Sequence, residues 1–410
     1  MRRAFFLLPI PLTGCWLSHA LSEPGEPGES PCAPDASGAQ PTCVRPAEVA
    51  CGAAAMVAAE CDEELLQWRC PAGTRRYEAV AAGQACLPFA GSDSIARLSG
   101  APVPVPTDDG CVWLLPELET ASGERVAYAA VRLDETAPFG TCPATPDFLE
   151  PGPVSAVRVL GDAPPELLPS VTGAFRLPGA PTRVAFRNFV WEEGAPFGLR
   201  ELGTGLGVWS ETEKRVWLPD EGAIRWPPEV DLGDAVVAVG ESAYLYGCPP
   251  PIDFLTEDCV LARLDGALRA ELWTDDGWVA EGEGWDGTTV DEAPPLFDAG
   301  PWRSAVTRIA DGRFLHLYAV GFGSRIEGHV APAPEGPWTS LGWIAECDLP
   351  ADDDEAFCAG PAVHPELQDP LRPGEIVVSY DVATTSPDWE ERRRASPESY
   401  WPRLVSLVIP

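Results

Sequence analysis

Lysine is almost missing from this chain. Lys214 is the single lysine among 28 basic residues, set against 63 acidic ones, and the formal net charge is −35 over 410 residues. A surface so poor in cations excludes nucleic acid as a partner, because phosphate binding needs a basic face. It also excludes adsorption to anionic lipid headgroups. Histidine is nearly as scarce, with only His19, His316, His329 and His364. None of them sits beside a cysteine pair and no Cys-x-x-Cys occurs, so no zinc site is expected. The acids form no compact oxygen-ligand loop, and no metal or other cofactor is expected. There is no phosphate loop ending in Lys-Ser/Thr and no Gly-x-Ser-x-Gly elbow of a serine hydrolase. The glycine-dense stretch 203–207 reads as a tight turn. Beyond the first residues no apolar run approaches the ~18 residues of a membrane-spanning helix.

What the chain does have begins at its start. Arg2 and Arg3 precede a short apolar stretch, which ends in Leu12-Thr13-Gly14-Cys15. A basic start, an apolar run too short to span a bilayer and small residues before a cut site mark a secretory signal over residues 1–14. The Leu-Thr-Gly-Cys ending resembles the bacterial lipobox, which implies cleavage before Cys15 and a diacylglycerol on its thiol. Trp16 rather than Asp at the next position implies the outer membrane of a Gram-negative bacterium. The expected location is therefore the cell envelope, with the folded part outside the cytoplasm. Residues 15–31 repeat Glu-Pro-Gly and read as a polar tether.

Setting Cys15 aside, twelve of the 13 cysteines remain. In an exported chain they are expected to form disulfides. Spacing singles out Cys248 with Cys259 and Cys347 with Cys358. Residues 32–95 carry six cysteines and read as a small stapled unit with one Ala- and Glu-rich helix at 47–66.

From about residue 96 the texture changes. Short β-type runs recur between Pro, Gly and Asp, with turn dipeptides at Ser122-Gly123, Asp276-Gly277 and Asp311-Gly312. Around Asp311-Gly312 the outgoing run 313–321 is apolar on both faces, so it is expected to be buried between stacked sheets. Many strands without intervening helices give a mainly β fold. At about 60 residues for four strands, a five-bladed β-propeller over 96–410 fits best.

The passage from Phe314 to Tyr318, then Arg325-Ile326-Glu327-Gly328-His329, then Gly336-Pro337-Trp338-Thr339, resembles a blade of the five-bladed propellers of glycoside hydrolase type. The last strands resemble those of bacterial propellers of the DUF4185 type. Such hydrolases set acids on the innermost strands of the early blades, around a central pocket. The resemblance therefore points to Asp108 or Asp109, Asp134, and Glu192 or Glu193. None falls in a matching motif. Asp109-Gly110 reads as a turn, and Glu192-Glu193-Gly194 as an exposed strand end. For binding, the chain offers His316, Arg325 and Glu327. A packed core imidazole and a cross-strand ion pair explain the same residues. Most of the 15 tryptophans are expected to fill blade interfaces. The expected function is a lipid-anchored envelope protein whose propeller binds a glycan or a protein partner. The alternative is a diverged glycoside hydrolase acting on an extracellular polysaccharide.

Overall fold

A computed structural model describes most of residues 85–409 and parts of 42–76. Cys15, the tether and Asp134 lie outside the described residues. Five sheets follow one another in chain order, antiparallel except where Val157–Val159 pairs in parallel with Arg215–Leu218, the mainly β five-bladed propeller that the strand pattern implies. Blade 1 runs outward from Val103–Thr107 through Gly110–Thr120 and Arg125–Arg132 to Asp147–Phe148. Blade 2 runs from Leu168–Phe175 through Arg183–Trp191 and Leu199–Ser210 to Arg215–Leu218. Blade 3 runs from Leu232–Val239 through Ser242–Gly247 and Glu257–Leu264 to Ala270–Thr274. Blade 4 runs from Ala305–Arg308 through Phe314–Ala319 and Arg325–Ala331 to Thr339–Glu346. Blade 5 runs from Ala356–Val363 through Glu375–Thr384 to Arg403–Val408.

The ring closes on itself. Cys86 exchanges both backbone hydrogen bonds with Leu404, so the start of the propeller supplies the outer edge of its last blade. Trp401 donates through its indole nitrogen to the Pro88 carbonyl at 2.6 Å, and Phe89 is buried beside it. Cys86 is also bonded to Cys142. Cys86 thus bridges to the last blade, and Ile95–Arg97 pairs with Gly110–Thr120 of blade 1. Within the N-terminal unit the helix expected over 47–66 does not form: Ala54–Ala58 and Glu60–Asp62 are strands. Ala54–Ala58 is paired along its length with Thr42–Pro46, and that cross-strand ladder outweighs the helix preference of alanine and glutamate.

Blade interfaces carry the core. The strand Phe314–Ala319 is buried on both faces, with Leu315, Leu317 and Ala319 packed toward blade 5 and Phe314, His316 and Tyr318 toward blade 3. The turn through Gly336 and Pro337 sets Trp338 against Phe297 at 4.8 Å and Tyr246 at 5.9 Å, filling the seam between blades 3 and 4. Disulfides join Cys248 to Cys259 and Cys347 to Cys358. Residues 203–207 are not a turn but the middle of the strand Leu199–Ser210. Their glycines answer a packing demand. A Cβ on Gly203 would stand 2.1 Å from the Trp226 carbonyl oxygen.

Candidate functional site

The five innermost strands surround a cavity of about 310 Å³ on the propeller axis. Its wall contains consecutive residues of single strands, Thr172 to Arg176 and Ser304 to Arg308 among them. Side chains of one strand alternate between faces, so a run of neighbours can line one space only if the strand's edge faces it. Among the described residues these edges have no β partner on the axis side. Backbone N–H and C=O groups therefore stand between small apolar side chains such as Val103, Pro104, Ala235 and Ala362. No Asp or Glu occurs among the described residues of the lining.

At the starts of the inner strands the axis is blocked. Arg303, just before the inner strand of blade 4, donates to the carbonyls of Gly360 at 2.8 Å, Val171 at 3.3 Å and Ala101 at 3.4 Å. One guanidinium thus ties together blades 5, 2 and the entry to blade 1. Burial lowers its pKa from the usual arginine value. Beside it, Asp234 accepts from the backbone N–H and the hydroxyl of Ser304, each at 3.1 Å.

Asp234 is also part of a buried charge cluster. Arg187 lies 2.7 Å from Glu201, 3.3 Å from Asp231 and 3.6 Å from Asp234. Burial pushes the Asp231 carboxyl well above the usual aspartate range, against the pull of Arg187, and the charges of Glu201 and Asp234 add to the rise. Asp234 is raised for the same first reason. Burial would lower Arg187, but Asp231, Glu201 and Asp234 together hold it well above the usual value. Asp231 also adopts a left-handed backbone, with φ of 44°, a conformation that costs energy in most residues. Three carboxylates thus share one buried arginine.

A second polar group sits behind blade 5. His364 pairs through Nδ1 with Glu366 at 2.8 Å and through Nε2 with the Ser379 hydroxyl at 2.7 Å. Trp113 donates to Glu366 at 2.7 Å. The order Ser-His-Glu matches the connectivity of a nucleophilic triad. Ser379 and His364 are completely buried, however, so no substrate reaches them and the set holds the blade 5 to blade 1 seam.

Asp109, like Asp134, lies outside the described residues, and the described residues singled out in sequence do not line the cavity. Glu192 and Glu193 are exposed in the turn after Trp191, with Glu192 paired to Arg200, and neither faces the axis. Asp108 stands at the rim, paired with Arg176. His316 stacks on Phe297 at 4.0 Å and approaches His329 with 3.3 Å between their Nδ1 atoms, inside the blade 3 to blade 4 seam. Glu327 accepts from the Tyr318 hydroxyl at 3.0 Å. Arg325 lies over the exposed Trp343 ring, 5.0 Å from its centroid. None of these three lines the cavity. The cavity wall and the Arg187 cluster were missed because neither leaves a local motif: Arg187, Glu201, Asp231 and Asp234 are brought together only by the fold.

No family model matches this chain, and no curated protein matches it in sequence. Among solved structures, a hydrolase candidate from Bacteroides ovatus is similar with a TM-score of 0.52 at 13% identity, over 78% of this chain and 87% of that one. A GH43_1 enzyme from Xanthomonas citri follows at 0.42 and 13% identity, over 80% and 91%. An exo-β-1,3-galactanase from Phanerochaete chrysosporium gives 0.43 at 10% identity, over 80% and 65%. The first of these shows the fold. The other two are too distant to carry more.

Proposed function

We propose that this chain is a lipid-anchored envelope protein that binds a small saccharide in the axial cavity of its propeller. One observation carries the reading: all five blades contribute to an open cavity of about 310 Å³ whose described lining has no carboxylate. That volume is at the lower end of ligand pockets. Strand-edge amides and carbonyls offer partners for hydroxyls, and the apolar side chains between them suit the faces of a sugar ring. Glycoside hydrolysis needs two carboxylates on either side of the scissile bond, and the described residues of this wall do not supply them. Anchoring rests on Leu12-Thr13-Gly14-Cys15.

Glycoside hydrolysis is the second reading. It is favoured by the fold shared with the Bacteroides ovatus hydrolase candidate and by the collection of Glu201, Asp231 and Asp234 near the axis. The two readings separate in one experiment. Mature protein is incubated with aryl glycosides and envelope polysaccharides, while binding is followed by calorimetry and new reducing ends by NMR. Saturable binding without turnover is expected. Turnover that disappears in Asp234→Asn or Glu201→Gln would establish the hydrolase instead.

A further inference from the structure

The two ends of the cavity differ in how their arginines are engaged. Its deep end, at the starts of the inner strands, is closed by Arg303, whose guanidinium is engaged with three carbonyls. Its mouth lies at the ends of the inner strands. There blades 2 and 4 place Arg176 and Arg308 on the lining, with Ala238 of blade 3 between them in the ring order. Asp108 pairs with one terminal nitrogen of Arg176. The other terminal nitrogen, Nη1, is buried and has no hydrogen-bond partner among the described residues. Arg308 is exposed and donates through Nε to the Gly312 carbonyl at 3.4 Å, with no carboxylate in ion-pair contact among the described residues. Asp108 and Glu211, which accepts from the Asp108 backbone N–H at 2.8 Å, stand on the Arg176 side of this mouth, so Arg308 is the guanidinium left for an incoming anion, in a chain whose net charge is −35. A guanidinium presents paired N–H donors in a plane that matches a carboxylate.

We propose that the ligand of the cavity is an acidic saccharide of one or two rings, a uronic acid or an oligosaccharide ending in one. Its rings enter among the strand edges and its carboxylate stays at the mouth, on Arg308. This rests on the saccharide-binding reading above and adds the charge of the ligand to it.

The test is calorimetry at low salt on the mature protein, with glucuronate and galacturonate, their disaccharides, and the neutral glucose and galactose counterparts. Uronates are expected to bind at least tenfold more tightly than the neutral sugars, about 1.4 kcal/mol. Arg308→Gln is expected to cut that preference below threefold, and added salt to weaken the uronates alone. Equal affinity for acidic and neutral sugars would overturn the charge inference and leave the cavity reading standing. A third variant separates the two further. Ala238 is exposed at the mouth, so Ala238→Trp obstructs the entrance without entering the core. Unchanged uronate binding by that variant, with an unchanged melting temperature, would place the ligand elsewhere and overturn both. Absence of binding by every sugar in the panel would do the same.

Discussion

Asp231 combines three costs in one residue: full burial, a left-handed backbone and a carboxyl raised in pKa by desolvation. A carboxyl whose folded pKa lies above its unfolded value stabilises the fold while protonated. That contribution is lost as pH rises from about 4 through the raised value. Asn keeps the shape, tolerates the left-handed backbone and leaves Glu201 and Asp234 to hold Arg187. Asp231→Asn is therefore expected to stabilise the protein by about 1 kcal/mol at pH 8, and by less at pH 4. Thermal unfolding at the two pH values checks this, and an equal loss at both would mean a simple ion pair. His316 has the opposite sign. Burial first, then His329, holds its pKa well below 6.5, and burial also lowers His329, against Asp298 and Glu327. The unfolded chain takes up those protons first, so stability falls as pH drops below about 6.5. His316→Phe, which keeps the stack on Phe297, is expected to flatten the melting temperature between pH 6.5 and 5. A slope as steep as that of the native chain would count against it.

At the scale of single elements, the strands were the legible part. Alternating apolar residues ended by Asp311-Gly312 marked the blade 4 hairpin, and the structure pairs Arg308 with Phe314 across that turn. Short-range pattern and turn chemistry suffice there because both partners lie within a few residues. They fail where a distant partner decides. Nothing near 54–58 announces that Thr42–Pro46 pairs with it, and nothing near 203–207 announces Trp226. Gly203 has φ of 122° and faces the Trp226 carbonyl. Gly203→Ala is expected to cost more than about 2 kcal/mol, read as a fall in the urea midpoint. Gly179, which also has positive φ but open space around it, serves as the control for backbone strain alone. The candidate site was illegible for the same reason. Val, Pro and Ala on inner strands are ordinary core residues until five strands meet around an axis. In a chain with 63 acids, Glu201, Asp231 and Asp234 stand out only once Arg187 is seen among them.

The whole molecule depends on closure of the ring. Residues 86–89 supply two backbone bonds to Leu404, the acceptor for Trp401 and the buried ring of Phe89. A chain beginning at Ser92 is expected to lose several kcal/mol and to melt in a broader transition, whereas one beginning at Gly83 should keep both the fold and its cooperativity. Calorimetric scans of the two chains decide it. Closure also fixes the cavity, because Arg303 joins blades 1, 2 and 5 only when the last blade is docked. That this axial cavity is the ligand site is tested most directly by a crystal structure of the mature protein soaked with short acidic and neutral saccharides. Intact sugar is expected in the cavity, between the strand edges of blades 2 and 4. Sugar bound only on the outer surface, for instance against the exposed Trp343, or found cleaved beside Asp234, would contradict it.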